Sequence, residues 1–180
     1  MIAADGVDLA ALWLPDLDGA DPTVVPASYL VDRAQLNASE IGLGTQVVTV
    51  GYLFGYSGLK ANFPVMKFGH VAALTDEAWF FNRASHVPEQ GYVVDLPNAP
   101  GLSGAPVFVY GMEFDVDPFR YRQLPPFVIG VVKDLLLAPA GGQVISQGVP
   151  VIEPGANVKA LMKQIAAALK AGGRNVRDLD

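Results

Sequence analysis

Asp95-Leu96-Pro97-Asn98-Ala99-Pro100-Gly101-Leu102-Ser103-Gly104-Ala105-Pro106-Val107-Phe108-Val109 is the stretch on which the reading of this chain turns. It holds a serine in a Gly-x-Ser-Gly-x-Pro turn that runs directly into an apolar, β-branched segment. Glycine has no Cβ, so positions 101 and 104 can take up backbone angles that other residues avoid. In such a turn the amides of Gly101 and Ser103 can point at one spot and form an oxyanion hole. Pro106 stiffens the exit into the following strand. A serine hydroxyl is a weak nucleophile until a base removes its proton, so the turn alone does not define a reaction. Taken by itself it reads equally as a plain Gly/Ser turn between two strands. The Gly-x-Ser-x-Gly elbow fits less well, because Ala105 stands at its last position and a strand pattern follows where that elbow leads into a helix.

Outward from this segment, glycines and prolines punctuate the chain every 10 to 15 residues, with β-rich runs between them. That rhythm predicts an all-β sandwich or barrel. Strands are expected near 7–14, 46–54, 64–74, 78–81, 91–95, 105–110, 127–135 and 148–152. Gln46-Val47-Val48-Thr49-Val50-Gly51-Tyr52 mixes β-branched and aromatic residues in alternation, as a half-buried strand does. Residues 15–30 and 111–126 read as surface connections. Only the end is clearly helical. Pro154 suits a first turn, and Val158, Leu161, Met162, Ile165 and Leu169 form one apolar stripe before Gly172-Gly173. A basic amphipathic helix can bind a membrane, but a terminal helix docked on a barrel is the simpler reading.

Composition narrows the function. The chain has 180 residues, is 51% hydrophobic and 17% charged, and so favours a folded core over disorder. A net charge of −6 argues against nucleic acid, which requires basic surface to replace phosphate counterions. No apolar run is long enough to span a membrane, and Met1-Ile2-Ala3-Ala4-Asp5 lacks the features of a signal peptide, so a soluble protein is expected and its compartment is not legible. There is no cysteine and there are only two histidines, so neither disulfides nor a structural metal site is expected, and no cofactor.

Asp8 opens the apolar run Leu9-Ala10-Ala11-Leu12-Trp13-Leu14, where a charged side chain at a strand end could orient an imidazole. Alone, Asp8 reads better as an N-terminal turn residue. Its separation from Ser103 decides otherwise: the two lie 95 positions apart, against about 90 in the His, Asp, Ser order of the serine-protease template. Val7-Asp8-Leu9-Ala10-Ala11-Leu12, Gly44 to Tyr52, Pro64 to Ala73, Asp95 to Pro106 and Phe127-Val128-Ile129-Gly130-Val131-Val132 together resemble the trypsin-like serine peptidases, in particular their bacterial, cysteine-free branch. The likeness runs from about residue 1 to 170 and rests on the order and spacing of these stretches.

The resemblance implies a trypsin-like antiparallel β-barrel, with the C-terminal barrel complete, the N-terminal barrel truncated, and a C-terminal α-helix. The divisions it implies are 1–30, a remnant of the first barrel with the connection; 31–153, the C-terminal barrel; 154–173, the helix; and 174–180, a tail. It implies Ser103 as nucleophile, Asp8 as the carboxylate that orients a histidine, and a substrate pocket around Pro97, Val132 and Lys133. With no carboxylate at Pro97, an apolar or small substrate side chain is implied rather than a basic one. The template's histidine would precede Asp8 by about 45 residues, before Met1. His70 reads as a strand or surface residue and His86 as a loop residue. The expected function is therefore a serine endopeptidase domain acting on polypeptide, inactive without that histidine. The alternative is a non-catalytic module on the same scaffold that binds extended peptides.

Overall fold

The computed structural model describes residues 2–3, 9–11, 25–54, 61, 63–81, 88–97, 99–110, 112–114, 121–123, 126–140 and 143–174. Asp8 and His86 lie outside them. The strands are β1 (Ile2–Ala3), β2 (Ala10–Ala11), β3 (Gln46–Gly51), β4 (Val65–Ala73), β5 (Phe80–Phe81), β6 (Pro88–Glu89), β7 (Tyr92–Asp95), β8 (Pro106–Val109), β9 (Met112–Phe114), β10 (Tyr121–Gln123), β11 (Val128–Ala140) and β12 (Gln143–Pro154). The helices are α1 (Arg33–Ala38) and α2 (Gly155–Ala171).

Six strands close into an antiparallel barrel in the order β3-β4-β7-β12-β11-β8, with β8 returning to β3. The barrel is built from two three-stranded meanders, β3-β4-β7 and β8-β11-β12. Their first strands pair with each other, as do their last. The reason is local. Val107 and Val109 on β8 are buried at alternate positions, so that strand turns one apolar face inward, while Tyr92, Val93 and Val94 on β7 are all buried, so that strand is covered on both faces. Val47, Val71, Ile129, Val132 and Ile152 complete the interior. Thr49 is a polar residue among them: it is fully buried, and its hydroxyl donates to the Pro106 carbonyl at 2.8 Å, which satisfies it across the β3–β8 seam. Burial raises the Tyr92 phenol above its ordinary value of 10.0, and the Asp76 carboxylate adds to this.

One end of the barrel is covered by a short segment that the strand rhythm does not announce. Val31, Leu36 and Ile41 pack onto the core, and Val31 N donates to Val128 O at 3.2 Å. Helix α1 begins with a reciprocal cap: the Asp32 carboxylate accepts from Gln35 N, and the Gln35 side chain accepts from Asp32 N. The Asp-x-x-Gln spacing that signals this cap lies in the sequence at 32–35. The expected surface loop at 111–126 contains the β9–β10 hairpin. The β11–β12 hairpin is longer than expected, reaching Ala140 and restarting at Gln143.

Helix α2 fills the place expected for the terminal helix and packs against β11 and β12. Of its apolar stripe, Leu161 is 2% exposed, while Val158, Met162, Ile165 and Leu169 are half-buried. Leu161→Asp should lower stability by about 3 kcal/mol or more, because it removes a buried apolar side chain and buries a carboxylate without a partner. Thermal melting of variant and parent measures this, and equal midpoints would refute the docking of α2.

Candidate functional site

Ser103 lies in the loop joining β7 to β8 and is exposed. The loop is held from three sides by its backbone. Phe54 N donates to Pro100 O at 2.9 Å, tying it to the chain that leaves β3. Gly104 N donates to Val132 O at 2.7 Å, and Val132 N donates to Ala105 O at 2.9 Å, tying it to β11. Ala105 N donates to Leu102 O at 2.9 Å, which closes the turn around the serine. Leu102 is 1% exposed and anchors the turn in the core, so Ser103 is turned outward beside a buried neighbour.

The two flanking glycines have φ of +100° at Gly101 and +84° at Gly104, both in the region that side chains disfavour. Gly101 is also held by space: a Cβ there would meet Phe54 N and would lie 2.6 Å from Tyr52 O. The turn therefore exists only with glycine at 101. Among the described residues, the amides of Leu102, Gly104 and Ala105 have carbonyl acceptors, whereas those of Gly101 and Ser103 have none.

The other expected site residues have different surroundings. Pro97 lines a cavity of about 390 Å³ with His70, Asp95, Phe68 and Tyr110. Val132 is 4% exposed and belongs to the core. Lys133 falls in a β-bulge, because Val132 pairs with Ile152 and Asp134 with Val151, leaving Lys133 with no opposite residue. Its ammonium is held by Glu153 Oε2 at 2.9 Å, Glu89 Oε2 at 3.2 Å and the Gln90 carbonyl at 2.7 Å. The Asn157 amide donates to the other Glu153 oxygen. The ion pairs are nearly dry, with side-chain exposures of 2%, 8% and 1% for Lys133, Glu89 and Glu153. They border a second cavity of about 270 Å³.

His70 stands on the outer face of β4, with Gln46 and Asp95 as its cross-strand partners. The serine loop meets the opposite end of β3: a Cβ on Gly51 would touch Leu102 and Ala105 at 3.0 and 3.1 Å. Five residues of strand separate Gln46 from Gly51, roughly 17 Å at the usual rise. The buried Lys133 cluster was not foreseen by the sequence reading. Its only trace there is the lysine itself, at the end of the run from Phe127 to Val132. No group of three or more metal-ligating side chains occurs among the described residues, and no described helix is long and apolar enough to cross a membrane.

Comparison of the chain with models of protein families, with curated proteins and with solved structures finds no match.

Gly101→Ala should cost about 2–4 kcal/mol, from the left-handed backbone plus the clash with the chain at 52–54. Urea unfolding measures it, and a cost below about 0.5 kcal/mol would contradict the described turn. Lys133→Met should cost about 3–5 kcal/mol at neutral pH, since two carboxylates then share a buried site without their cation. The same measurement tests it, and an unchanged midpoint would mean that the cluster is solvated.

Proposed function

We propose that the chain is the serine-bearing part of a trypsin-like serine endopeptidase. The single observation that carries this reading is the turn at 101–104, which leaves the Gly101 and Ser103 amides without acceptors while turning Ser103 outward. A closed antiparallel six-stranded barrel with the serine at the start of one strand is the setting that the sequence likeness implies. In the proposed reaction the Ser103 Oγ attacks a peptide carbonyl as its proton passes to an imidazole. The Gly101 and Ser103 amides donate to the oxygen that becomes negative, and Asp8 orients the imidazole. The imidazole then protonates the departing amine. Water completes the cycle by hydrolysing the ester on Ser103, again with the imidazole as base.

His70 is a poor source of the base, because it faces the outer surface of β4 some five strand residues from the end where the serine turn sits. The proposal therefore assigns the base to a histidine-bearing lobe joined before Asp8. A second reading has support of its own. Tyr52 and Phe54, which flank the serine turn, are 54% and 82% exposed, as suits a surface that holds an extended peptide without cleaving it.

A fluorophosphonate probe separates the two readings. The 180-residue chain should react no faster than its Ser103→Ala variant, since loss of the base costs several orders of magnitude. A chain extended upstream through a histidine-bearing lobe should react rapidly and lose that reaction on Ser103→Ala. Absence of Ser103-dependent labelling in the extended chain would favour the binding module. Strong labelling of the 180-residue chain that is lost on His70→Ala or His86→Ala would instead locate the base within it.

A further inference from the structure

The outer face of the barrel carries a second feature, centred on β4. Along β4, Phe68 and His70 are exposed while Gly69 and Val71 are buried, so the two exposed side chains share the outer face. The register then builds a row across neighbouring strands. His70 faces Gln46 on β3 and Asp95 on β7, and Tyr110 N donates to Gln46 O at 2.9 Å. Phe68 occupies the next row and meets Tyr110 edge-on, with ring centroids 5.4 Å apart and planes at 70°. These residues, with Pro97, line the cavity of about 390 Å³. That size falls in the range of small-ligand pockets.

Its chemistry is asymmetric. Phe68 and Tyr110 are 53% and 54% exposed, large rings left on a barrel exterior. Among the described residues, Asp95 is the only carboxylate that lines the cavity, and no lysine or arginine does. Gln46 adds an amide oxygen that can accept a hydrogen bond. Aromatic rings attract cations through their faces, and a carboxylate at the other end fixes the cation's position. The chain as a whole carries a net charge of −6, which favours approach of a basic partner.

We propose that this cavity binds the basic side chain of a partner polypeptide, an arginine above all. A planar guanidinium can lie against the rings and still donate to Asp95, which an ammonium does less well. The partner is a polypeptide rather than a free amine because the apolar surface continues past the cavity. Met66, two residues before Phe68 on the same face, is 59% exposed and would be covered by residues flanking the arginine. Pro97, which the sequence likeness places in a peptidase substrate pocket, borders this cavity, but the proposal rests on Phe68, Tyr110 and Asp95 and stands without the reading of Ser103.

The test is an NMR titration of the whole 180-residue chain with two capped tripeptides, acetyl-Gly-Arg-Gly-amide and acetyl-Gly-citrulline-Gly-amide. Citrulline keeps the planar shape without the charge. The arginine peptide should shift the amides of Gln46, Phe68, His70, Asp95 and Tyr110 saturably, and the citrulline peptide should bind at least about fivefold more weakly. Asp95→Asn and Phe68→Ala should each weaken the arginine peptide about two- to fivefold. His70→Lys, which sets a competing cation beside Asp95, should abolish binding while the remaining spectrum stays folded. Equal binding of citrulline, shifts confined to other surfaces, or full affinity in Asp95→Asn would overturn the proposal. Agmatine binding as tightly as the arginine peptide would overturn the polypeptide as its ligand.

Discussion

A curved antiparallel sheet keeps two unsatisfied edges until its first and last strands find each other. In this chain that closure is the pairing of β3 with β8, through Val47 with Val109, Val48 with Phe108 and Thr49 with Val107. The two strands lie about sixty residues apart in sequence, so the contact is also one of high loop-closure cost, met only when both meanders are in register. The Thr49 hydroxyl, buried and bonded to the Pro106 carbonyl, sits on this seam. The two ends of the serine turn depend on it. Pro106 is the first residue of β8, so fixing it fixes the end of the turn, and the start is fixed by the Phe54 amide at the exit of β3.

The turn is thus a consequence of barrel geometry rather than a flexible loop placed on top of it. Leu102 points into the core while its neighbours on both sides face solvent, and the left-handed glycines make that reversal possible. A group that must receive developing negative charge gains most from donors that are already oriented, since none of the binding energy is then spent on ordering them. The sole polar atoms of the turn left without acceptors among the described backbone amides at 101–105 are those on either side of Leu102.

Much of the barrel was legible in the sequence because its strands obey period two and are separated by glycine and proline. Gln46–Gly51, Tyr92–Asp95 and Pro106–Val109 fall inside the expected strands, and α2 falls inside the expected helix at 154–173. What escaped has a physical reason in each case. Helix α1 has six residues, too few for a helical stripe to stand out, and only its Asp32–Gln35 cap betrays it. The far half of the β11–β12 hairpin lies in a stretch rich in Ala, Pro and Gly, which reads as a break although the ladder continues. At the site, the serine turn was readable from its glycines. The fate of Lys133 was not, because a bulge adds one residue to one strand and no spacing rule within that strand announces it.

That bulge has a consequence for how the sheet chooses its register. Lys133 brings Glu89 and the Gln90 carbonyl, just before β7, and Glu153, near the end of β12, to one ammonium, so two segments distant in sequence from each other meet at the charge carried by β11. Buried ion pairs of this kind contribute little net stability compared with an apolar filling, but they are intolerant of misplacement. If β11 slid by two residues against β12, the same faces would stay inward and the apolar interior would accept valine for isoleucine at modest cost. The ammonium would then be stranded among side chains that cannot accept its protons. The cluster acts as a key cut for one alignment, so the slipped sheets that a valine-rich barrel would otherwise tolerate are excluded by charge rather than by shape.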